Sequence, residues 1–272
     1  MTVADAIRAA TERLTATSGT ARLDAELLMA HALGTERSAM LLRSMRDPAP
    51  AGFDTLVERR EGHEPVAHIL GQQEFFGRAF TVTPDTLIPR GDSEALVEAA
   101  LELKPDAARV LDMGTGSGAL LLSVIAETRA TGVGTDCSPA ALAVAHDNAD
   151  RLGVEERVRF HLLDWREKGW AEGLGQFDLI LCNPPYVEEE TALDADVRDY
   201  EPHSALFSGP EGLNDYRIII PQLRKLLTNT GMAILEIGHE QSAPVSEIAR
   251  SGGFAVSLRK DLANRPRALI LT

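Results

Sequence analysis

From Ala108 to its last residues the chain repeats one rhythm, a short β-prone run followed by a turn and a helix-patterned run. The pieces are ARVLDMG, GALLLSVIAETR, GVGTD, PAALAVAHDNADRL, RVRFHLLD and FDLILCNPPY. After them come a helix near Tyr216 to Leu227, the strand MAILEIG, a helix from Ala243 to Arg250, and terminal strands FAVSLRK and ALILT. Strands that alternate with helices pair in parallel and return through crossovers that cover both faces of the sheet. The predicted fold class is therefore α/β, with a doubly wound, mostly parallel, Rossmann-like sheet.

The region ahead of this rhythm is patterned differently. From Val3 to about Arg60, Ala6, Ile7, Ala10 and Leu14, and then Leu23, Leu27, Leu28 and His31, fall at helical spacing, with Gly34, Pro48 and Pro50 as punctuation. Arg59, Arg60 and Glu61 read as a solvated helix face. The segment HILGQQEFFGRAFTV changes to short β-prone pieces around Gly71 and Gly77, as a hairpin does. The expected division is a small helical N-terminal domain over 1–66, a β-hairpin linker over 67–84 and the sheet domain over 85–272. Asp92 or Ser93 is expected to cap a helix through Ala95, Leu96, Val97 and Leu101.

Doubly wound sheets bind ligands beyond the carboxyl ends of their strands. The strand VLDMG runs straight into Gly114, Thr115, Gly116, Ser117 and Gly118, and a helix follows at once. Glycines permit the tight turn and a close approach to a ligand, and free N–H groups at the helix start hold its oxygens. A nucleotide-like cofactor is implied, and the loop alone does not separate a nicotinamide cofactor from S-adenosylmethionine. Asp136, closing GVGTD, supplies an acceptor for two ribose hydroxyls, and Ser138 and Pro139 start the next helix beside it. Trp165, after HLLD, is the candidate to lie against an adenine face, with Trp170 as the structurally buried alternative.

The strand FDLILC ends in Asn183, Pro184, Pro185 and Tyr186. Two prolines stop the ladder and stiffen the turn, which fixes the Asn183 side-chain oxygen and the Pro184 carbonyl as a pair of acceptors. Converging acceptors recognise a planar NH2 group. An amide nitrogen is a weak nucleophile, and hydrogen bonds accepted from both of its protons orient it and stabilise the charge that develops on alkylation. Tyr186 is expected to pack on the flat group and exclude water. The predicted catalytic residues are Asn183, Pro184 and Tyr186.

Composition narrows the partners. With 41 acidic against 27 basic residues and a net charge of -14, the field of the chain repels a polyanion, so stable nucleic-acid binding is not expected. No run of about 18 apolar residues is present, so no membrane span is expected. The N-terminus is amphipathic rather than a secretory apolar stretch, and Cys137 and Cys182 form no disulfide framework. A cytoplasmic protein is expected. The seven histidines show no metal spacing, and no metal is expected.

Taken together, LDMGTGSG, GTD, LLDW and NPPY resemble a class I S-adenosylmethionine methyltransferase of the amino-methylating type. More narrowly, PVAHILGQQEFFG, FTVTPDTLIPRGDSEALVE, EPHSALFSGPEGL and LEIGHEQ make the chain similar to the HemK/PrmC family of release-factor glutamine methyltransferases over nearly its whole length. That resemblance implies a seven-stranded sheet with one antiparallel strand. It implies methylation at N5 of the glutamine in the Gly-Gly-Gln motif of class I peptide chain release factors, with S-adenosylhomocysteine as the other product and the N-terminal domain gripping the factor. By position it places Gly114 to Gly118, Asp136, Trp165 and Asn183 around the cofactor and Asn183 to Tyr186 around the glutamine, with Phe76, Pro89 and Arg90 lining the pocket. Gly91 departs from the family pattern, which has proline after this arginine in many members, and the last strand region, KDLANRPRALILT, also differs. The competing readings are a nucleic-acid adenine or guanine amino methyltransferase, a methyltransferase for a glutamine of another protein such as a ribosomal protein, and a non-catalytic cofactor-binding adaptor.

Overall fold

A computed structural model describes residues 1–272. The first five helices, α1 (Val3–Leu14), α2 (Ala21–Ala32), α3 (Arg37–Arg43), α4 (Phe53–Glu61) and α5 (Val66–Leu70), belong to one compact unit, residues 1–72 together with 193–200. A capping box opens α1: the Thr2 hydroxyl accepts from the Asp5 N–H, and the Asp5 carboxylate accepts from the Thr2 N–H. Val3, Ile7, Leu14, Leu28, Met29, Met40, Phe53 and Val57 form its core.

Two expectations for this unit change. On α2 the buried face is Asp24, Ala25, Leu28 and Met29, whereas Leu23 and His31 are exposed. The rotation follows from Asp24, whose buried carboxylate accepts from Arg60 Nε at 2.8 Å and from the Ser18 and Thr20 hydroxyls. Arg60 is accordingly 6% exposed rather than solvated. A buried charge persists only with such partners.

The second unit, residues 73–192 and 201–272, begins with the hairpin β1 (Gln72–Phe75) and β2 (Arg78–Thr81), reached directly from the helical unit. Phe76 and Gly77 both take positive φ, 49° and 69°, at its two-residue turn. There follow α6 (Glu94–Leu103), β3 (Arg109–Met113), α7 (Ala119–Glu127), β4 (Thr131–Asp136), α8 (Pro139–Leu152), β5 (Val158–Leu162) and β6 (Phe177–Cys182). The short α9 (Ala195–Tyr200) belongs to the first unit, where Tyr200 donates its hydroxyl to the Gly62 carbonyl at 2.8 Å and Asp196 lies 3.7 Å from Arg60. The chain closes with α10 (Asn214–Leu226), β7 (Leu227–Glu236), α11 (Ser242–Ser251), β8 (Val256–Lys260) and β9 (Pro266–Leu271).

Seven strands form one sheet in the order β5-β4-β3-β6-β7-β9-β8. The pairs from β5 to β7 are parallel, and β9 runs antiparallel to both β7 and β8, so a single strand is reversed. Side chains alternate across the strands. Val110, Leu179 and Leu181 meet Leu96, Leu121 and Ile125 on one face, and Leu111, Met113 and Ile180 meet Tyr216, Ile219 and Leu223 on the other. Ser93 stands at the N-cap of α6 after a 3₁₀ turn, without a side-chain capping bond. Ser138 does cap α8, accepting from the Ala141 N–H at 3.2 Å, with Pro139 in its first turn. No helix is long and apolar enough to cross a membrane.

Candidate active site at the carboxyl ends of the central strands

The order of the sheet reverses between β3 and β6, and beyond those strand ends lies a cleft of about 980 Å³ including its open mouth. That is where a doubly wound sheet leaves room for a ligand. Its floor is the turn after β3. Gly114, Gly116 and Gly118 take φ of 73°, 53° and 82°, in the left-handed region that side chains avoid. The Gly114 and Thr115 N–H groups both donate to the Thr135 carbonyl, at 2.8 and 2.9 Å, which ties the turn to the end of β4.

Asp136 at that strand end is fixed from both sides. Its Oδ2 accepts from the Gly116 N–H and its Oδ1 from the Ser138 N–H, both at 2.9 Å. Each carboxylate oxygen keeps a further lone pair, enough for two hydroxyls of a ribose. Burial pushes its carboxyl above the usual range against these hydrogen bonds.

Trp165 lines the same cleft. A Cβ built on Gly114 would stand 3.0 Å from the Trp165 ring, so the indole lies directly over the glycine turn. The Trp165 Nε1–H donates to Asp215 Oδ1 at 2.9 Å. The buried Asp215 also accepts from Arg166 at 2.8 Å and from the Ser208 hydroxyl at 2.7 Å. Trp170 is the structural indole, 6% exposed and donating to Gln222 at 2.6 Å.

Asn183 and Pro185 stand on the cleft wall beside the glycine turn, because Cys182 pairs in register with Met113. The Asn183 side chain makes no hydrogen bond within the chain, so both ends of its amide are available to a ligand. Pro89 and Arg90 also line the cleft; the buried Glu201 accepts from the Ile88 N–H at 3.1 Å and pairs with the Arg90 guanidinium. A Cβ at Gly91 would have nothing within 4 Å of it.

Gly118 starts α7 at the end of the turn, and the buried Pro184 joins the two wall residues Asn183 and Pro185. Tyr186 is half-buried next to these prolines, and its hydroxyl donates to Glu236 Oε1 at 3.2 Å. Phe75 replaces Phe76 in the cleft lining, because the hairpin turn at Phe76 carries that side chain away while the last residue of β1 faces inward.

Several neighbours of these residues carry little or no local signal in the sequence. Asp112, one position before the end of β3, is 1% exposed and accepts the Thr115 hydroxyl at 2.7 Å; burial pushes its pKa up to about 7. A carboxylate inside the apolar run VLDM was the available signal. Asp215 and Glu201 gave none, because Trp165 and Arg166, and Ile88 and Arg90, with which they bond, lie 49 to 113 residues away in the chain. No group of three or more His, Cys, Asp or Glu is arranged to hold a metal.

The residues fit a nucleoside bearing a charged sulfonium side chain: a carboxylate for the ribose, an indole for the base and a glycine turn for the remainder. Sheet and site together define a class I S-adenosylmethionine-dependent methyltransferase. A family model described as a methyltransferase domain matches residues 104–251, and one described as the PrmC N-terminal domain matches residues 5–71. The chain is 42% identical to a release factor glutamine methyltransferase of Cereibacter sphaeroides, over 98% of this chain and 97% of the relative. It is 39% identical to one of Rhodospirillum rubrum, over 92% of this chain and 78% of that one. Among solved structures, a methyltransferase from Pyrococcus furiosus shares the fold, with TM-score 0.52 and 18% identity over 80% of this chain and 96% of that one. The chain belongs to the release factor glutamine methyltransferase family.

Proposed function

We propose that this enzyme transfers a methyl group from S-adenosylmethionine to the side-chain amide nitrogen, N5, of the glutamine in the Gly-Gly-Gln motif of a class I release factor. The observation that carries the reading is the unengaged Asn183 amide on the cleft wall, at the rigid Pro-Pro end of β6 and beside the glycine turn. When bound, the cofactor supplies an electrophilic sulfonium methyl. Asp136 and Trp165 orient it, and the glycine turn holds its amino acid end.

The Asn183 side-chain oxygen and the Pro184 carbonyl each accept one N–H of the substrate amide. This aims the nitrogen at the methyl group and stabilises the positive charge that grows on it as the new C–N bond forms and the C–S bond breaks. The product nitrogen then releases one proton to solvent, and no general base is needed. Pro185, Pro89 and Arg90 form the rest of the substrate wall, with Tyr186 behind it.

The helical unit, residues 1–72 with 193–200, is the surface that grips the release factor, and residues 73–192 with 201–272 carry the chemistry. The reaction takes place in the cytoplasm, where release factors act, and with a net charge of -14 no stable nucleic-acid complex forms. Purified enzyme incubated with labelled S-adenosylmethionine should methylate a release factor at that glutamine and leave a factor with the glutamine replaced unlabelled. Label on both factors, or on neither, would refute the substrate assignment.

A further inference from the structure

The strand end LEIGHEQ and the glycine-containing segment SGPEGL do not line the cleft. They converge on one residue. Tyr186 donates its hydroxyl to Glu236 Oε1 at 3.2 Å, and its carbonyl accepts from Gln241 Nε2 at 2.9 Å. Gln241 also reaches the Gly212 carbonyl at 3.3 Å, and its own Oε1 accepts from the Gly238 N–H at 3.1 Å. A Cβ on Gly212 would stand 2.2 Å from the Tyr186 carbonyl oxygen, so only glycine admits the tyrosine backbone here. The Tyr186 N–H is held as well, by the Leu206 carbonyl at 3.1 Å.

The carboxylate end of this arrangement is costly. Glu236 is 1% exposed, and burial raises its pKa. The Arg267 guanidinium stands 3.8 Å away and itself pairs with Asp92 at 2.9 Å. The Tyr216 hydroxyl donates to the Glu236 carbonyl at 2.7 Å, which fixes the backbone beneath the side chain. An apolar residue would fill this site at less cost, so a buried glutamate aimed at a phenol points to a requirement for that tyrosine in one pose.

We propose that Glu236 and Gln241 are positioning residues for methyl transfer, clamping the side-chain and backbone ends of Tyr186 and thereby holding Asn183 and the Pro184 carbonyl in their accepting geometry. The chain of action is short. Tyr186 directly follows the two prolines, whose fixed φ angles transmit its placement to the acceptor pair. A displacement of about 1 Å at such a pair is worth up to a hundredfold in rate. The inference rests on the methyl-transfer reading above.

The test is a double-mutant cycle with Glu236→Gln and Tyr186→Phe, alongside Gln241→Ala alone and in the Tyr186→Phe background. Turnover on the release factor and cofactor affinity are both measured. Glu236→Gln is expected to lower kcat about tenfold while KM and cofactor affinity stay within about twofold, and to have little further effect once Tyr186 is phenylalanine. Gln241→Ala, acting on the carbonyl, is expected to lower kcat by a similar factor in both backgrounds. Unchanged kcat in either single variant, or an equal loss from Glu236→Gln in both backgrounds, would overturn the clamp.

If the wild-type enzyme does not methylate the factor, the substrate reading fails by itself, and the clamp is read without substrate. The chain has three tyrosines, so 3-fluorotyrosine labelling gives three ¹⁹F resonances, and Tyr186→Phe assigns one of them. Glu236→Gln should shift the Tyr186 resonance and leave that of Tyr200 in place. A Tyr186 resonance that does not move would overturn the proposal.

Discussion

The indole N–H of Trp165 donates to Asp215 Oδ1 at 2.9 Å, across 50 residues of sequence, and the same buried carboxylate takes Arg166 and the Ser208 hydroxyl. The ring that covers the glycine turn is therefore held by a residue on a helix from the far half of the sheet. Asp215→Asn keeps the shape and loses the charge that supports three donors. It is expected to weaken S-adenosylmethionine binding by about 5- to 30-fold, equivalent to roughly 1–2 kcal/mol, measured by titration calorimetry. Unchanged affinity would mean that Trp165 is held by packing alone.

Asp136 is expected to carry a larger share of cofactor affinity. Its two backbone partners, Gly116 and Ser138, fix it independently of any ligand, so in the proposed reading it would meet the ribose already oriented. Removing it in Asp136→Ala deletes charge-assisted hydrogen bonds worth about 1.5–3 kcal/mol each. Cofactor affinity should fall at least tenfold, and kcat at saturating cofactor should fall much less. A kcat effect without an affinity effect would place Asp136 in the chemistry instead.

Much of this arrangement was legible in the sequence where its information is local. The strand-turn-helix rhythm gave the parallel sheet, GTGSG gave the turn, and Asn183 with its two prolines gave the rigid strand end, because each signal lies within a few consecutive residues. The rotation of α2 was not legible, since it depends on Asp24 meeting Arg60 from another helix. Nor was the exchange of Phe75 for Phe76, which turns on the φ angles of a two-residue turn. The partners of Trp165, Tyr186 and Arg90 were hidden for the same reason, since Asp215, Glu236 and Glu201 approach only when distant segments fold together.

Two glycines near the site should respond in opposite ways. Gly118 has φ 82°, and a Cβ there would stand 2.8 Å from Leu122 Cδ1, so Gly118→Ala forces a left-handed alanine against a neighbour. A loss of about 1–2 kcal/mol is expected, lowering Tm by about 3–6 °C. Gly91→Ala meets open space at an ordinary backbone angle and should be neutral, or stabilising by up to about 1 kcal/mol. Calorimetric melting of both variants compares them directly, and equal shifts would contradict the geometry of the turn.

The buried Asp112 makes stability depend on pH. Burial lifts its carboxyl from the ordinary value to about 7 in the folded chain. Between about pH 4 and 7 the folded state then holds a proton that the unfolded chain has released. Its contribution is complete below about pH 4 and is lost as pH rises through 7, by about 4 kcal/mol at most. Asp136 and Glu236 are raised by burial too and act in the same direction. The urea midpoint is expected to fall from pH 5 to pH 8, and Asp112→Asn should flatten that decline. An equal slope in the variant would show that Asp112 is not the group responsible.

The central claim is that Asn183 acts on the substrate amide and not merely on the cofactor. The most direct measurement is single-turnover methyl transfer to the release-factor glutamine by Asn183→Ala, with cofactor affinity determined on the same preparation. Transfer slowed by about 10²- to 10³-fold, as for removal of one preorganised hydrogen-bonding group, with cofactor affinity within about threefold of wild type, is the expected result. Transfer at the wild-type rate would contradict it.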